Sequence, residues 1–210
     1  VCISHDFIII MQAANTGLTG GSTPYGNDYD RPIIIINTLL IDDIHIINKS
    51  EQIIAFSGST LYNLETKLKP FNRDPHSIIG STSIGASIVG GVCNNSGGSL
   101  IKRGPAYTEL ALYAKVNDAG ELQLINDLGI NLGDKPEDIL RNLENQNYDI
   151  NDIDNDKTKL ASDNKYEEVV RQIDSSTPAR FNSDNRLLYG ASGSAGKVVV
   201  FALRLDTYPK

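Results

Sequence analysis

Three segments of this 210-residue chain share a small-residue composition: "AANTGLTGGSTP" (13–24), "GASIVGGVCNNSGGS" (85–99) and "GASGSAGK" (190–197). Glycine reaches φ > 0 and lets a ligand approach the main chain, so consecutive amides can converge on an anion. Ser, Thr and Asn add short neutral donors that complete a phosphate shell. No Lys or Arg lies within the first two segments, so backbone amides rather than charge pairs would do the holding. One such loop is ordinarily a turn. Two long ones, each following or bordering apolar stretches, suit a diphosphate gripped from two sides, as in a dinucleotide. Plain turns are the alternative.

Sharper motifs fail on inspection. "YGASGSAGKV" resembles a nucleotide-binding P-loop, but Ala191 sits where the first Gly belongs and Val198 where Ser or Thr should reach magnesium. G-x-G-x-x-G is absent, which leaves a Rossmann site unsupported. Asp152, Asp154 and Asp156 have calcium-loop spacing, but Lys157 replaces the obligatory Gly and Asp163 stands where a bidentate Glu is wanted. A solvated acidic loop is the better reading. His5, His45 and His76 are scattered and no G-x-S-x-G occurs, so a nucleophilic triad has no anchor. Cys2 and Cys93 show neither CxxC nor zinc-ligand spacing.

The elements that must position these loops are legible as periodicity. "FIIIM" (7–11) and "PIIIINTLLI" (32–41) are β-branched runs, expected to be strands buried on both faces. "QIIAFSG" (52–58) is a third strand, feeding a helix that Ser59 or Thr60 can cap, with Leu61, Leu64 and Leu68 on one face. "LALYAKV" and "ELQLIN", joined by "NDAG", form a hairpin with Gly120 in the turn. Asp134-Lys135-Pro136 opens a helix through about Leu143, with Pro at a tolerated early position. "KVVVFALRL" (197–205) is a last strand. Residues 145–165 are polar, acidic and almost without apolar periodicity, as expected of a surface insertion. The mixture is α+β with several antiparallel strands.

Hydrophobic content of 40% and charged content of 21% suit a globular domain with a real core. A formal charge of −7 and a pI near 4.9 argue against a nucleic-acid surface and against a polybasic membrane patch. His5 and Asp6 interrupt the start, so no signal peptide is read there, and no apolar run approaches the length of a membrane span. The default compartment is a reducing cytoplasm. The chain begins at Val1 almost on a strand and stops at "RLDTYPK" with no closing helix, which leads to the expectation of a segment of a longer polypeptide.

The stretches "IIIMQAANTGLTGGSTPYGNDYDRPIIIINTL", "PHSIIGSTSIGASIVGGVCNNSGGSLIKRGPAYTELAL" and "DSSTPARFNSDNRLLYGASGSAGKVVVFALRLDT" resemble the bacterial quinone-dependent D-lactate dehydrogenases. These are peripheral membrane flavoproteins of the vanillyl-alcohol-oxidase superfamily. The resemblance implies an α+β, two-subdomain FAD-binding domain of the p-cresol methylhydroxylase type, truncated at its N-terminus and lacking the substrate domain. Residues 1–48 would end the first FAD-binding subdomain and 49–210 would form the second. The cofactor implied is FAD, lying extended between the two. Carried over by motif, Ala13, Ala14, Asn15, Thr16 and Gly17 correspond to a first FAD-contacting run, and Gly21 and Ser22 to a second. Gly80, Ser87 and Gly97 correspond to contacts from the other subdomain, and Val200 to a main-chain contact on the last strand. For Val200 an ordinary core position is the competing reading. His76 could be a base or a flavin-linking residue; a hydrogen-bonded turn histidine is the plainer reading.

The implied reaction oxidises D-lactate to pyruvate and passes electrons to a membrane quinone, at the cytoplasmic side of the bacterial inner membrane. No catalytic residue is assigned, and the isolated chain is expected to be inactive. A dehydrogenase for another 2-hydroxy acid, a non-catalytic fragment of an interrupted gene, and a generic α+β binding domain are the alternatives.

Overall fold

The computed structural model describes residues 1–77, 81–98, 102–155, 158–176 and 190–210. The first unit is small. Strand β1 (Ile8–Gln12) pairs in parallel with β2 (Ile33–Asn37), in the register Ile8 to Ile33 and Gln12 to Asn37. The 13–24 segment leaves the end of β1 and belongs to the connection that returns to β2.

The second unit is a five-stranded antiparallel sheet in the order β3-β4-β8-β6-β7. Its strands are β3 (Ile44–Ile47), β4 (Gln52–Phe56), β6 (Ala111–Val116), β7 (Leu122–Asn126) and β8 (Val199–Asp206). β3 already pairs with β4, so the sheet begins ahead of the boundary expected at 48. A two-residue strand β5 (Arg73–Asp74) pairs with β9 (Tyr208–Pro209). The expected hairpin is present, with Gly120 left-handed in its turn.

Side chains alternate across a strand, and the sheet uses both faces. Ile53, Ala55, Leu203 and Leu205 point into a core closed by α1 (Leu61–Leu68) and α2 (Ile88–Cys93). Ile54, Phe56, Leu112 and Ala202 point the other way, into a second core with Leu128, Ile130 and Ile153, closed by α3 (Pro136–Glu144). In α1 the Thr60 hydroxyl accepts from Asn63 N at 3.2 Å, and Leu61, Leu64 and Leu68 are buried, as the sequence predicts. α3 starts one residue later than expected, with Lys135 at its N-cap and Glu137 and Asp138 in the first turn. A short helix α4 (Tyr166–Val169) follows the 145–165 segment. Within that segment Ile153 bridges to Ile130, and Asn131 N and Asp154 N bond the carbonyls of Asp152 and Gly129.

The expectation of double-sided burial fails for β1 and β2. Every β1 residue is only half-buried and Ile35 in β2 is 45% exposed. Among the described residues each strand has one strand neighbour, and neither core cluster includes a residue of either strand. An unbroken isoleucine run predicts a strand, but burial needs a second layer.

Candidate functional site

The site is built where the two units meet. Thr38, just past β2, donates its N–H to the Gln12 carbonyl at the end of β1, 2.9 Å away. The Thr38 carbonyl oxygen then lies so close to Gly58 that any Cβ there would collide with it and with the Leu39 backbone. Gly58 N donates to Ile41 O at 2.7 Å, and Ile88 N donates to Ser59 O at 3.0 Å. Residue 58 is glycine because two backbones touch there. A short relay, Gln12–Thr38–Gly58–Ser59–Ile88, therefore fastens the origin of the 13–24 loop to the start of α2.

The first loop closes on itself. Asn15 is left-handed (φ 52°), a conformation that Asn tolerates better than most residues. Its Oδ1 accepts from Ser22 Oγ at 2.8 Å and Thr23 Oγ1 at 3.1 Å, while Gln12 Nε2 donates to Ser22 O at 2.8 Å. The runs 13–17 and 21–22 are thus one structure, and the Ser22 hydroxyl proton is committed to shaping it. Ala13, Ala14 and Thr16 are half-buried, and Gly17 and Gly21 are exposed. A Cβ at Gly17 would meet nothing within 4 Å, and one at Gly21 only Thr19 Oγ1 at 4.0 Å. The left-handed glycine is Gly20 (φ 66°), not Gly17 or Gly21, so those two positions keep the main chain accessible and relieve no backbone strain.

The second loop runs into α2. Ser87 is buried, and its Oγ accepts from Gly90 N at 3.0 Å, a helix cap. Thr60 and Ser87 form an antiparallel bridge, so α1 and α2 start side by side. Beyond α2, Ser96 is tied by its N–H to Gly91 O and by its carbonyl to Ala106 N, which leaves Gly97 half-buried beside it. Gly80 lies outside the described residues. The third small-residue segment has a packing role: Gly193 N and Ala195 N donate to Val92 O and Cys93 O, and Ser192 Oγ donates to Thr108 O. Val200 is a core residue by its side chain, 5% exposed among the α1 and α2 contacts. Its backbone lies past the end of the β4–β8 register, which stops at Phe56 and Ala202.

Sequence reasoning missed several buried polar atoms, one beside the joint and two in the turn after β5. Ser57 Oγ, His76 Nδ1 and Ser77 Oγ are enclosed without a hydrogen-bond partner among the described residues. The plainer reading of His76, a hydrogen-bonded turn histidine, is therefore corrected at Nδ1. Burial, reinforced by the nearby Arg103 cation, pulls the His76 pKa down to about 4, so the ring is neutral at physiological pH. Arg103 holds this turn through Nη1 to Pro75 O at 2.7 Å while stacking on Tyr208 at 4.0 Å. The only signal in the sequence is the dipeptide His76-Ser77 leading into a small-residue run. Buried polar groups are almost always satisfied, so the orphan hydroxyl of Ser57, next to Gly58, suits a group held at the joint.

Other chemistries lack support. Burial holds the Cys93 thiol up at about 11, protonated and a poor nucleophile. Among the described residues no cluster of His, Cys, Asp and Glu could hold a metal ion. No described helix is long and apolar enough to cross a membrane.

No family model matches the sequence. Over 209 residues it is 60% identical to the quinone-dependent D-lactate dehydrogenase of Haemophilus influenzae, covering 100% of this chain and 37% of that protein. The Escherichia coli and Corynebacterium glutamicum proteins of the same name are 55% and 48% identical, over 99% and 100% of this chain and 36% of each of theirs. Among solved structures, an alkyldihydroxyacetonephosphate synthase superposes with a TM-score of 0.56 at 12% identity, covering 99% of this chain and 28% of its own. A cholesterol oxidase from Brevibacterium sterolicum gives 0.54 at 13% identity, covering 99% and 31%. These structural likenesses establish a shared α+β fold. From end to end the chain is related to the quinone-dependent D-lactate dehydrogenases, and it spans just over a third of their length.

Proposed function

We propose that this chain is the FAD-binding portion of a dehydrogenase that oxidises D-lactate to pyruvate and delivers the electrons to a membrane quinone. The observation that carries the reading is 60% identity sustained over the whole chain to a protein of that name. The residues at the joint fit a dinucleotide. The 13–22 loop offers neutral, open main chain, and Ser57, next to Gly58, holds a buried hydroxyl without a partner among the described residues.

In this reading Ala13, Ala14, Asn15, Thr16, Gly17, Gly21 and Ser22 line one side of the pyrophosphate, and Gly80, Ser87 and Gly97 the other. Val200 offers its main chain near Ser57. When bound, the flavin supplies the hydride acceptor. The chain binds and orients it. The rigid relay through Gly58 fixes the spacing of the two loops, and neutral His76 presents a hydrogen-bonding nitrogen with no charge. The division between subdomains is proposed in the 38–43 segment, where the chain crosses from β2 to β3. D-lactate, quinone and peripheral contact with the cytoplasmic face of the membrane are assigned to the whole protein.

The test is made on the full-length protein. Acid precipitation should leave yellow FAD in the supernatant, since the loops supply no reactive nucleophile, and anaerobic D-lactate should bleach the bound flavin while L-lactate does not. A protein without flavin, or one whose flavin ignores D-lactate, would contradict the proposal.

A further inference from the structure

A cavity of about 610 Å³ lies on the sheet face opposite α1 and α2, lined by Asn48, Lys49, Glu51, Gln52, Arg204 and Asp206 among others. Gln52 shares a strand face with Ile54 and Phe56, and Arg204 with Ala202, all on the α3 side. The cavity therefore shares no residue with the loops described above.

Its floor is a buried cation. Arg204 is 3% exposed, yet among the described residues none of its hydrogen bonds goes to a carboxylate. Nε donates to Gln52 Oε1 at 2.8 Å, and Nη1 donates to the carbonyls of Leu128, Gly129 and Asp154 at 3.3, 3.2 and 2.9 Å. Nη2 makes no hydrogen bond to the described residues. Asp206 and Asp154 both act on it through space without a direct bond, and Asp206 is already engaged: its Oδ1 accepts from Gln52 Nε2 at 2.8 Å and its Oδ2 from Ser162 Oγ at 2.6 Å. Lys159, also on the wall, is paired with Asp127 at 2.6 Å. A desolvated guanidinium without a direct counter-ion is unfavourable, and an arriving oxyanion would supply one.

The rim adds a second cation. Asn48, Lys49 and Ser50 are consecutively left-handed, with φ of 49°, 55° and 69°. L residues adopt this conformation singly and at a cost, because Cβ crowds the following carbonyl. The run is held by Asn48 Nδ2 donating to Gln52 Oε1 at 2.7 Å and by Thr207 Oγ1 donating to Ser50 O at 2.5 Å. Local strain kept by its surroundings is characteristic of ligand sites. Here it sets exposed Lys49, which has no ion pair among the described residues, on the edge of the cavity.

We propose that this cavity is a second binding site, taking a small carboxylate or phosphate anion between the free Nη2 of Arg204 and the ammonium of Lys49. Glu51 on the same rim disfavours large polyanions, so the ligand is compact. The site stands independently of the flavin reading.

The experiment is calorimetric titration of the intact chain with sodium phosphate, and separately with sodium acetate, at constant ionic strength. Saturable binding at one site is expected for at least one of them, and the arm that binds identifies the anion class. Lys49→Gly removes the ammonium and relaxes a left-handed residue, so the fold is kept while affinity should fall about tenfold. Lys115→Ala, an exposed cation on β6 outside the cavity, should leave affinity unchanged. Absence of saturation in both arms, indifference to Lys49→Gly, or an equal loss in Lys115→Ala would each overturn the proposal.

Discussion

Ile35 in β2 and Ile53 in β4 are the same residue in the same kind of element, yet Ile35 is 45% exposed and Ile53 is fully buried. The β1–β2 pair is two strands with open edges, whereas β4 lies between β3 and β8 under α1 and α2. Strand formation is local to the run of side chains. Burial is a property of what lies above and below it. The pair is thus the less buried half of the molecule, carrying a loop with open main chain, and the five-stranded unit is the well-packed, rigid half against which that loop is referenced.

The largest effect should come from the rigid half. Leu203→Ala, in a fully buried position between two helices, should cost about 2–5 kcal/mol in urea unfolding. Ile35→Ala should cost well under that, since its side chain is already partly in water. Equal losses would erase the distinction between the halves.

Acid should expose the same asymmetry. His76 has a folded-state pKa of about 4 against about 6.5 when unfolded. The unfolded chain binds the proton more readily, so the full stability is present above about pH 6.5 and is lost as pH falls toward 4, by about 3 kcal/mol at most. His45, buried beside Phe56 and sharing a 2.8 Å hydrogen bond with the Tyr148 hydroxyl, is shifted downward too by burial and adds in the same sense. The stability–pH curve should therefore fall through this window, and His76→Gln should flatten it. An unchanged slope in that variant would place the acid sensitivity elsewhere.

Gly58→Ala attacks the joint between the halves. Its Cβ would strike the Thr38 carbonyl, and overpacking of this kind costs about 1–3 kcal/mol. Hydrogen exchange should speed up at Thr38 and Gly58 more than at Ile53; uniform protection would show that the contact does not couple the units. Smaller still, Thr60→Ala removes the α1 cap and should cost about 1 kcal/mol, read from the urea midpoint. No measurable change would show that the bridge to Ser87 holds the helix start by itself.

Much of the rigid half was legible in the residues. The Leu61, Leu64 and Leu68 stripe, the Thr60 cap, the Gly120 turn and the β4 and β8 runs all act through neighbours close in sequence. The failures are long-range. Half-burial of β1 and β2, the packing role of the 190–197 segment against α2, and the unpartnered atoms of Ser57, His76 and Ser77 depend on which segments meet. The first loop shows the boundary well. Its small-residue composition was readable, but the left-handed turn at Asn15 and Gly20, and the Asn15–Ser22 bond that ties its two runs together, were not.

The central claim is that the open main chain of the 13–22 loop holds the flavin, and Gly17 offers the cleanest test. Its φ is outside the left-handed region and an added side chain begins in empty space, so Gly17→Val should leave the fold intact. In the full-length protein the account predicts an unchanged melting profile after flavin removal, together with FAD affinity reduced at least tenfold when apoprotein is titrated and flavin fluorescence is followed. Wild-type affinity in the Gly17→Val variant would contradict it, and would mean that this loop is a surface turn.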